Sequence, residues 1–190
     1  MKRNVSLFVL GMVVFGLAEI LPGFQSLTGV PSTAQADTQN TITMDVALDC
    51  RTWRFNQGIS DSDFGRGDSF IANGKIFHAG TLPAGSASND PNDPGSIGTF
   101  IENGTMAATL SEILDGKRPA FVATWLHLLD DGRGIVVEGP HPDSGPMAVV
   151  GGMGSLSGAS GELLVEIIGD NISGCPNMRL TFKLKKQAPK

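Results

Sequence analysis

Met147-Ala148-Val149-Val150-Gly151-Gly152-Met153-Gly154-Ser155-Leu156-Ser157-Gly158-Ala159-Ser160-Gly161-Glu162 is the stretch on which the fold turns. A short β-branched run enters it, and the alternating run Gly161–Ile168 leaves it. Between them lie Gly151, Gly152, Gly154, Gly158 and Gly161. Glycine at that density permits positive φ and close approach of backbones, so the segment is expected to form a tight corner between two strands.

Strand patterns recur outward from this corner. Downstream, Leu163, Val165 and Ile167 alternate with Glu162 and Glu166, and Met178, Leu180, Phe182 and Leu184 alternate with Arg179, Thr181, Lys183 and Lys185. At the other end, Ile42, Met44, Val46 and Leu48 alternate with Thr41, Thr43, Asp45 and Asp49. This period of two is the mark of a half-buried strand. Arg51–Ile59, with Trp53 and Phe55, continues that strand or forms a lip beside it. Ser69–Ala79 places Phe70, Ala72, Gly74, Ile76 and His78 on one face. Ile97–Leu110 is a further strand region, bent at Gly104. Ala120–Leu129 is apolar on both faces, and Asp131-Gly132 turns it into the return strand Ile135–Glu138. Ser60–Asp68, Gly80–Ser96, Pro140–Pro146 and Asp170–Asn177 are polar connections. About eight short strands, amphipathic at both ends of the series, predict an all-β protein: a closed eight-stranded antiparallel β-barrel whose first and last strands pair and so remove both edges.

The first residues have the make-up of a leader. Lys2 and Arg3 precede an apolar run from Val5 to about Leu21, and Ala34-Gln35-Ala36 supplies a small-x-small cleavage pattern. Glu19 and Pro22 interrupt the run, which disfavours a retained membrane helix. The expected organisation is a signal peptide over residues 1–36 and one barrel domain over 37–190, in an exported protein of the periplasm or the medium. Cleavage after Ala36 removes Lys2, Arg3 and Glu19 and leaves 12 basic against 18 acidic residues, a net charge of −6. Such an acidic surface argues against a nucleic-acid partner. Two cysteines, Cys50 and Cys175, are an even count in an oxidising compartment, which favours a disulfide over two buried thiols. Cys50 ends the first strand and Cys175 precedes the last, so antiparallel pairing of those strands brings both to one end of the barrel.

The Val149-Val150-Gly151-Gly152-x-Gly154 pattern, with Gly158-Ala159-x-Gly161-Glu162 after it, resembles the late corner of dirigent proteins and of allene-oxide-cyclase-like barrels. The run from Gly67-Asp68 to Gly74-Lys75-Ile76-Phe77 and the strand start Ile97-Gly98-Thr99-Phe100 are similar to other pieces of that family. The likeness covers roughly Gly67–Leu184. It implies a small eight-stranded barrel, often trimeric, in a family that contains cyclases of allene oxides, dirigent proteins that steer radical coupling and bacterial cyclases. The chain departs from the family in carrying Met153 where a Thr is usual and in having no Tyr. No pocket residue of the family can be aligned to a position here.

Little in the sequence promises chemistry. His78, His127 and His141 have no metal-ligand spacing, so no metal is expected. Asp90, Asn92 and Asp93 fit no established calcium loop, and a solvated loop is the better account. No serine sits in a nucleophile elbow, and no cofactor is implied. The most interesting face is Phe121, Ala123, Trp125, His127 and Leu129, which sets aromatic surface beside one titratable group. Phe121, Trp125 and His127 are therefore candidate ligand-binding residues, against the alternative of an ordinary core strand. Glu138, in a short apolar strand, is a candidate acid if buried and an unremarkable surface residue if not; His127 is the other candidate for catalysis. Two functions follow: an exported barrel that binds a small apolar molecule or serves an interaction role without catalysis, or a cofactor-free isomerase or cyclase acting on an apolar substrate inside the barrel. Because Val122, Leu126 and Leu128 oppose Phe121, Trp125 and Leu129, one apolar set must face outward. That predicts self-association as a trimer, unless Arg51–Ile59 covers the patch.

Overall fold

The computed structural model describes residues 40–56, 65–85, 88–116, 119–141 and 145–185. The signal peptide expected over residues 1–36, its expected cleavage after Ala36 and the tail Lys186–Lys190 lie outside these residues. Eight strands follow one another: β1 (Asn40–Asn56), β2 (Ser69–His78), β3 (Gly98–Met106), β4 (Phe121–Leu129), β5 (Gly134–Pro140), β6 (Met147–Met153), β7 (Gly161–Asp170) and β8 (Pro176–Leu184). They pair antiparallel in chain order, and β8 returns to β1 to close the barrel. The closing seam runs from Asn40↔Leu184 to Ala47↔Asn177. The strands' apolar alternation points inward, so Val46, Ile76, Phe100, Trp125, Ile135, Leu163, Leu180 and Phe182 meet in one core; the exception is Ile167, expected on the inner phase of β7 but 59% exposed where the β7–β8 register shifts.

The seam is fastened at the end where β1 leaves β8. Cys50 and Cys175 are bonded, with Cα atoms 5.2 Å apart and a sequence separation of 125. The neighbouring turn adds Asn171 Nδ2 donating to the Leu48 carbonyl at 2.8 Å and Cys50 N donating to Ser173 Oγ at 3.1 Å.

The polar connection, over 79–85 and 88–97, is a strap over the outer wall. Asp45 and Asn177 point outward, yet both are fully buried beneath it. Asp45 accepts from Gly80 N at 2.8 Å, Leu82 N at 3.2 Å and Arg179 Nε at 2.9 Å. Asn89 and Asn177 exchange side-chain hydrogen bonds, and Gly85 forms a parallel bridge with Gly169. Outward placement of Asp45 was legible from its alternation; its burial under a distant loop was not.

Two sequence expectations need correction. The region Ile97–Leu110 is not one strand: β3 stops at Met106, and a short helix, α1 (Leu110–Leu114), follows. Thr109 caps it, its hydroxyl accepting from Glu112 N while Thr109 N donates to Glu112 Oε2 at 2.8 Å. A Thr-x-x-Glu spacing is the signature of this reciprocal cap. Second, Trp53 and Phe55 do not cover the outside of β4. They turn inward against the core, Trp53 stacking on Phe70 at 5.5 Å. Residues 57–64 lie outside the description.

The glycine corner joins β6 to β7 through a 3-10 turn at Gly154–Leu156. Its glycines are not equivalent. Gly158 has φ +76 and needs freedom from a side chain. A Cβ on Gly152 would collide with the Leu156 carbonyl oxygen, whereas one on Gly151 would meet only Val136 Cβ at 4.0 Å. Gly152→Ala is therefore expected to cost more than about 2 kcal/mol, and Gly151→Ala to stay within about 0.5 kcal/mol of wild type. Denaturant melts of the pair check this; equal losses would contradict the close approach.

Candidate functional site

β3 and β4 carry the interior polar groups. On β3, Gly98, Phe100, Glu102, Gly104 and Met106 are buried while Asn103 and Thr105 are exposed. On β4, Phe121, Ala123, Trp125 and His127 are buried and Val122 is exposed. The register sets Phe100 beside His127 and Glu102 beside Trp125.

Glu102 is 2% exposed, and Trp125 Nε1 donates to its Oε1 at 3.0 Å. Burial disfavours the carboxylate and pushes its pKa up to about 7; the Trp125 bond, which favours the charge, only partly offsets this. A carboxyl so placed exchanges its proton near neutral pH, as a general acid or base must.

His127 is fully buried among rings, with Phe182 at 5.0 Å and Phe100 at 5.2 Å between centroids. Its Nδ1 lies 3.3 Å from the Ile135 carbonyl. A carbonyl only accepts, so Nδ1 carries the proton and Nε2 is a bare acceptor. Nε2 has no partner. Burial lowers the His127 pKa to about 4, the Ile135 bond opposing it, so the ring is neutral under ordinary conditions.

A second aromatic group lies where β1 passes its irregularity. The β1–β2 register slips between Asp49↔Asn73 and Arg54↔Ile71, which puts Cys50–Trp53 opposite Ala72. Trp53 contacts Phe55 and Phe70, Phe70 meets Phe121 edge-on at 5.0 Å, and Phe121 meets His141 at 4.6 Å. Trp53 Nε1 is buried and has no partner. An unpaired buried donor costs roughly 1–3 kcal/mol, so two orphaned atoms in one interior call for an explanation.

The sequence candidates fall on both sides of the wall. Phe121, Trp125 and His127 line the interior. Glu138 is exposed on the outer face. It borders an open concavity of about 340 Å³, shared with Ser69, Asn103, Thr105, Val122 and Thr124. Of the two readings of Glu138 the outward one holds, because β5 alternates with Ile135 and Val137 inward and Glu138 on the opposite face. The carboxyl buried beside Trp125 is that of Glu102. Its signal was present: Phe100, Glu102, Gly104 and Met106 share one phase of β3, and the other phase is Thr99, Ile101, Asn103 and Thr105. Trp53 left no such signal, since the irregularity breaks the period. Asp90 is committed to Arg51 at 2.6 Å, which lowers its pKa to about 2. Among the described residues no group of three or more His, Cys, Asp or Glu is placed to hold a metal.

No protein-family model and no curated protein matches the chain. Solved structures do. A pterocarpan synthase dirigent protein aligns with TM-score 0.53 and 11% identity over 86% of this chain and 98% of its own. The fold is dirigent-like. A pyocyanin demethylase aligns with TM-score 0.50 and 20% identity, over 77% of this chain and all of its own. At these identities the likeness concerns the barrel alone.

The two buried groups predict opposite pH effects. The Glu102 pKa is raised from 4.5 to about 7, so the folded state binds the extra proton and stability falls as pH rises through that window. The His127 pKa is lowered from 6.5 to about 4, so its contribution falls as pH drops through that range. Glu102→Gln keeps an acceptor for Trp125 but does not titrate. Relative to wild type it is expected to gain about 3 kcal/mol between pH 4.5 and pH 8. A pH-independent difference between the two proteins would contradict a buried Glu102.

Proposed function

We propose that this is an exported barrel protein that binds a small apolar molecule within its wall without converting it. The observation that carries the reading is the interior itself. Six aromatic rings, from Trp53, Phe70, Phe100, Phe121, Trp125 and Phe182, surround one carboxyl and two polar atoms that lack partners. An apolar lining with a few placed polar groups is the usual make-up of a ligand site. The Cys50–Cys175 bond supports export, because disulfides persist in oxidising compartments. The structural neighbours are named for pyocyanin and for pterocarpan synthesis, which supports small-molecule work for a barrel of this shape.

Glu102 favours a second reading, a cofactor-free isomerase or cyclase in which its carboxyl moves a proton on an apolar substrate. Solvent extraction of the purified protein, followed by mass spectrometry, separates the two. Binding without chemistry predicts the same compound, near stoichiometric, from wild type and from Glu102→Gln. The enzyme reading predicts that Glu102→Gln holds a compound wild type does not. Extracts of both that match an empty control would overturn binding.

Self-association belongs to the same proposal. The strap covers the outside of β1, β7 and β8, while Val122 and Val150, each 50% exposed, stand uncovered near half-buried Leu126, Leu128 and Val136. A second and third copy of the chain are the expected cover. Sedimentation equilibrium is expected to give a trimer that Leu126→Glu dissociates; a monomer at micromolar concentration would refute it.

A further inference from the structure

Carboxylates on the outer face of β7 stand opposite cations: Glu162 faces Lys183 and Glu166 faces Arg179 on β8. Glu138 on β5 has no cation opposite it. Its ladder partners are Thr124 on β4 and Ala148 on β6, and among the described residues its carboxylate makes no ion pair or hydrogen bond. It borders the open concavity of about 340 Å³ on the outer wall. The other polar side chains there, Ser69, Asn103, Thr105 and Thr124, are equally unspent: none makes a hydrogen bond among the described residues.

The register sets these residues on a grid. Asn103, Thr124 and Glu138 form one rung across β3, β4 and β5, and Ser69, Thr105 and Val122 form the next across β2, β3 and β4. Strands lie about 4.8 Å apart and same-face residues about 6.7 Å apart along a strand, so three strands and two rungs span roughly 10 by 7 Å. That is the footprint of one six-membered ring with its substituents. The grid offers three hydroxyls and an amide that both donate and accept, one carboxylate that only accepts, and one apolar side chain.

We infer that this concavity binds a single-ring polyhydroxylated amine, an amino sugar in its ammonium form, with the ammonium on Glu138 and the ring hydroxyls on Ser69, Asn103, Thr105 and Thr124. The inference is independent of the apolar ligand proposed inside the barrel, because Glu138 and Thr124 lie on the opposite face of the wall from Val137 and Trp125. Hydroxyls are required because an apolar occupant would cover these groups and leave them unpaired. A positive charge follows from the uncompensated carboxylate, which attracts a cation and repels an anion. Val122 supplies contact for the ring carbons.

Glucosamine is the probe, used below neutral pH so that its amine is protonated. Glucose lacks the charge, and ethylamine lacks the hydroxylated ring. In an NMR titration of the purified protein, glucosamine is expected to shift the amides of residues 103–105, 122–124 and 138 with a Kd of about 1 mM. Glucose is expected to shift the same amides about fivefold more weakly, the reach of one exposed ion pair, and ethylamine about tenfold more weakly. Glu138→Gln is expected to bring glucosamine down to the affinity of glucose, and Thr124→Val to weaken both sugars alike. Both substitutions lie on the outer face, and an unchanged spectrum away from the grid shows each variant folded. Ethylamine that matches glucosamine, or a glucosamine affinity that survives Glu138→Gln, overturns the inference. Shifts elsewhere only, or none at all, overturn it too; grid amides that instead move when Leu126→Glu is introduced overturn it in favour of a neighbouring copy as the occupant.

Discussion

The β1–β8 seam is the contact on which the rest of the molecule depends. An antiparallel meander left open would expose two strand edges and wet its inner face; closing it creates an inside. The seam is held from three directions. Its ladder runs eight residues of β1, from Asn40 to Ala47. At its far end the Cys50–Cys175 bond and the Asn171–Ser173 turn tie β1 to the start of β8. On its outer face Asp45 and Arg179, paired across the same ladder, form an ion pair at 2.9 Å beneath the strap. Asp45 is fully buried, so loss of Arg179 would strand a charge, a far larger penalty than loss of a surface pair.

Closure is also what makes the interior chemically distinct. The same desolvation moves two groups in opposite directions, Glu102 toward its neutral acid and His127 toward its neutral base. Neither charge is paid for by a counter-ion. The wall instead supplies one donor to Glu102, from Trp125, and one acceptor to His127, from Ile135. What remains unspent, His127 Nε2 and Trp53 Nε1, is one acceptor and one donor in a largely aromatic space. Structure and function thus share a cause: the seam that stabilises the barrel sets the protonation states inside it.

Much of this was legible in the residues. Strand periodicity and the glycine corner were enough for the barrel and its closure, and the cysteine positions for the disulfide. Phe121, Trp125 and His127 were correctly set on one face, because β4 keeps a strict period of two. The errors arose where that period fails or where partners are distant. Glu138, weighed as buried or outward, proved outward as its phase requires, while Glu102 was passed over in a strand not divided into its two faces. Trp53 lies within the slip in register between Asp49 and Arg54, where alternation carries no information. The strap's hold on Asp45 joins residues more than thirty positions apart, which no local pattern records.

Native-state hydrogen exchange across a denaturant series tests the sealed barrel most directly. If the seam encloses the interior, the amides of Ile42–Val46 and Met178–Phe182 and the Trp125 indole N–H exchange only through global unfolding, with one shared free energy and one steep denaturant dependence. Seam amides that open locally, with weak denaturant dependence while β3 and β4 stay protected, would contradict the account.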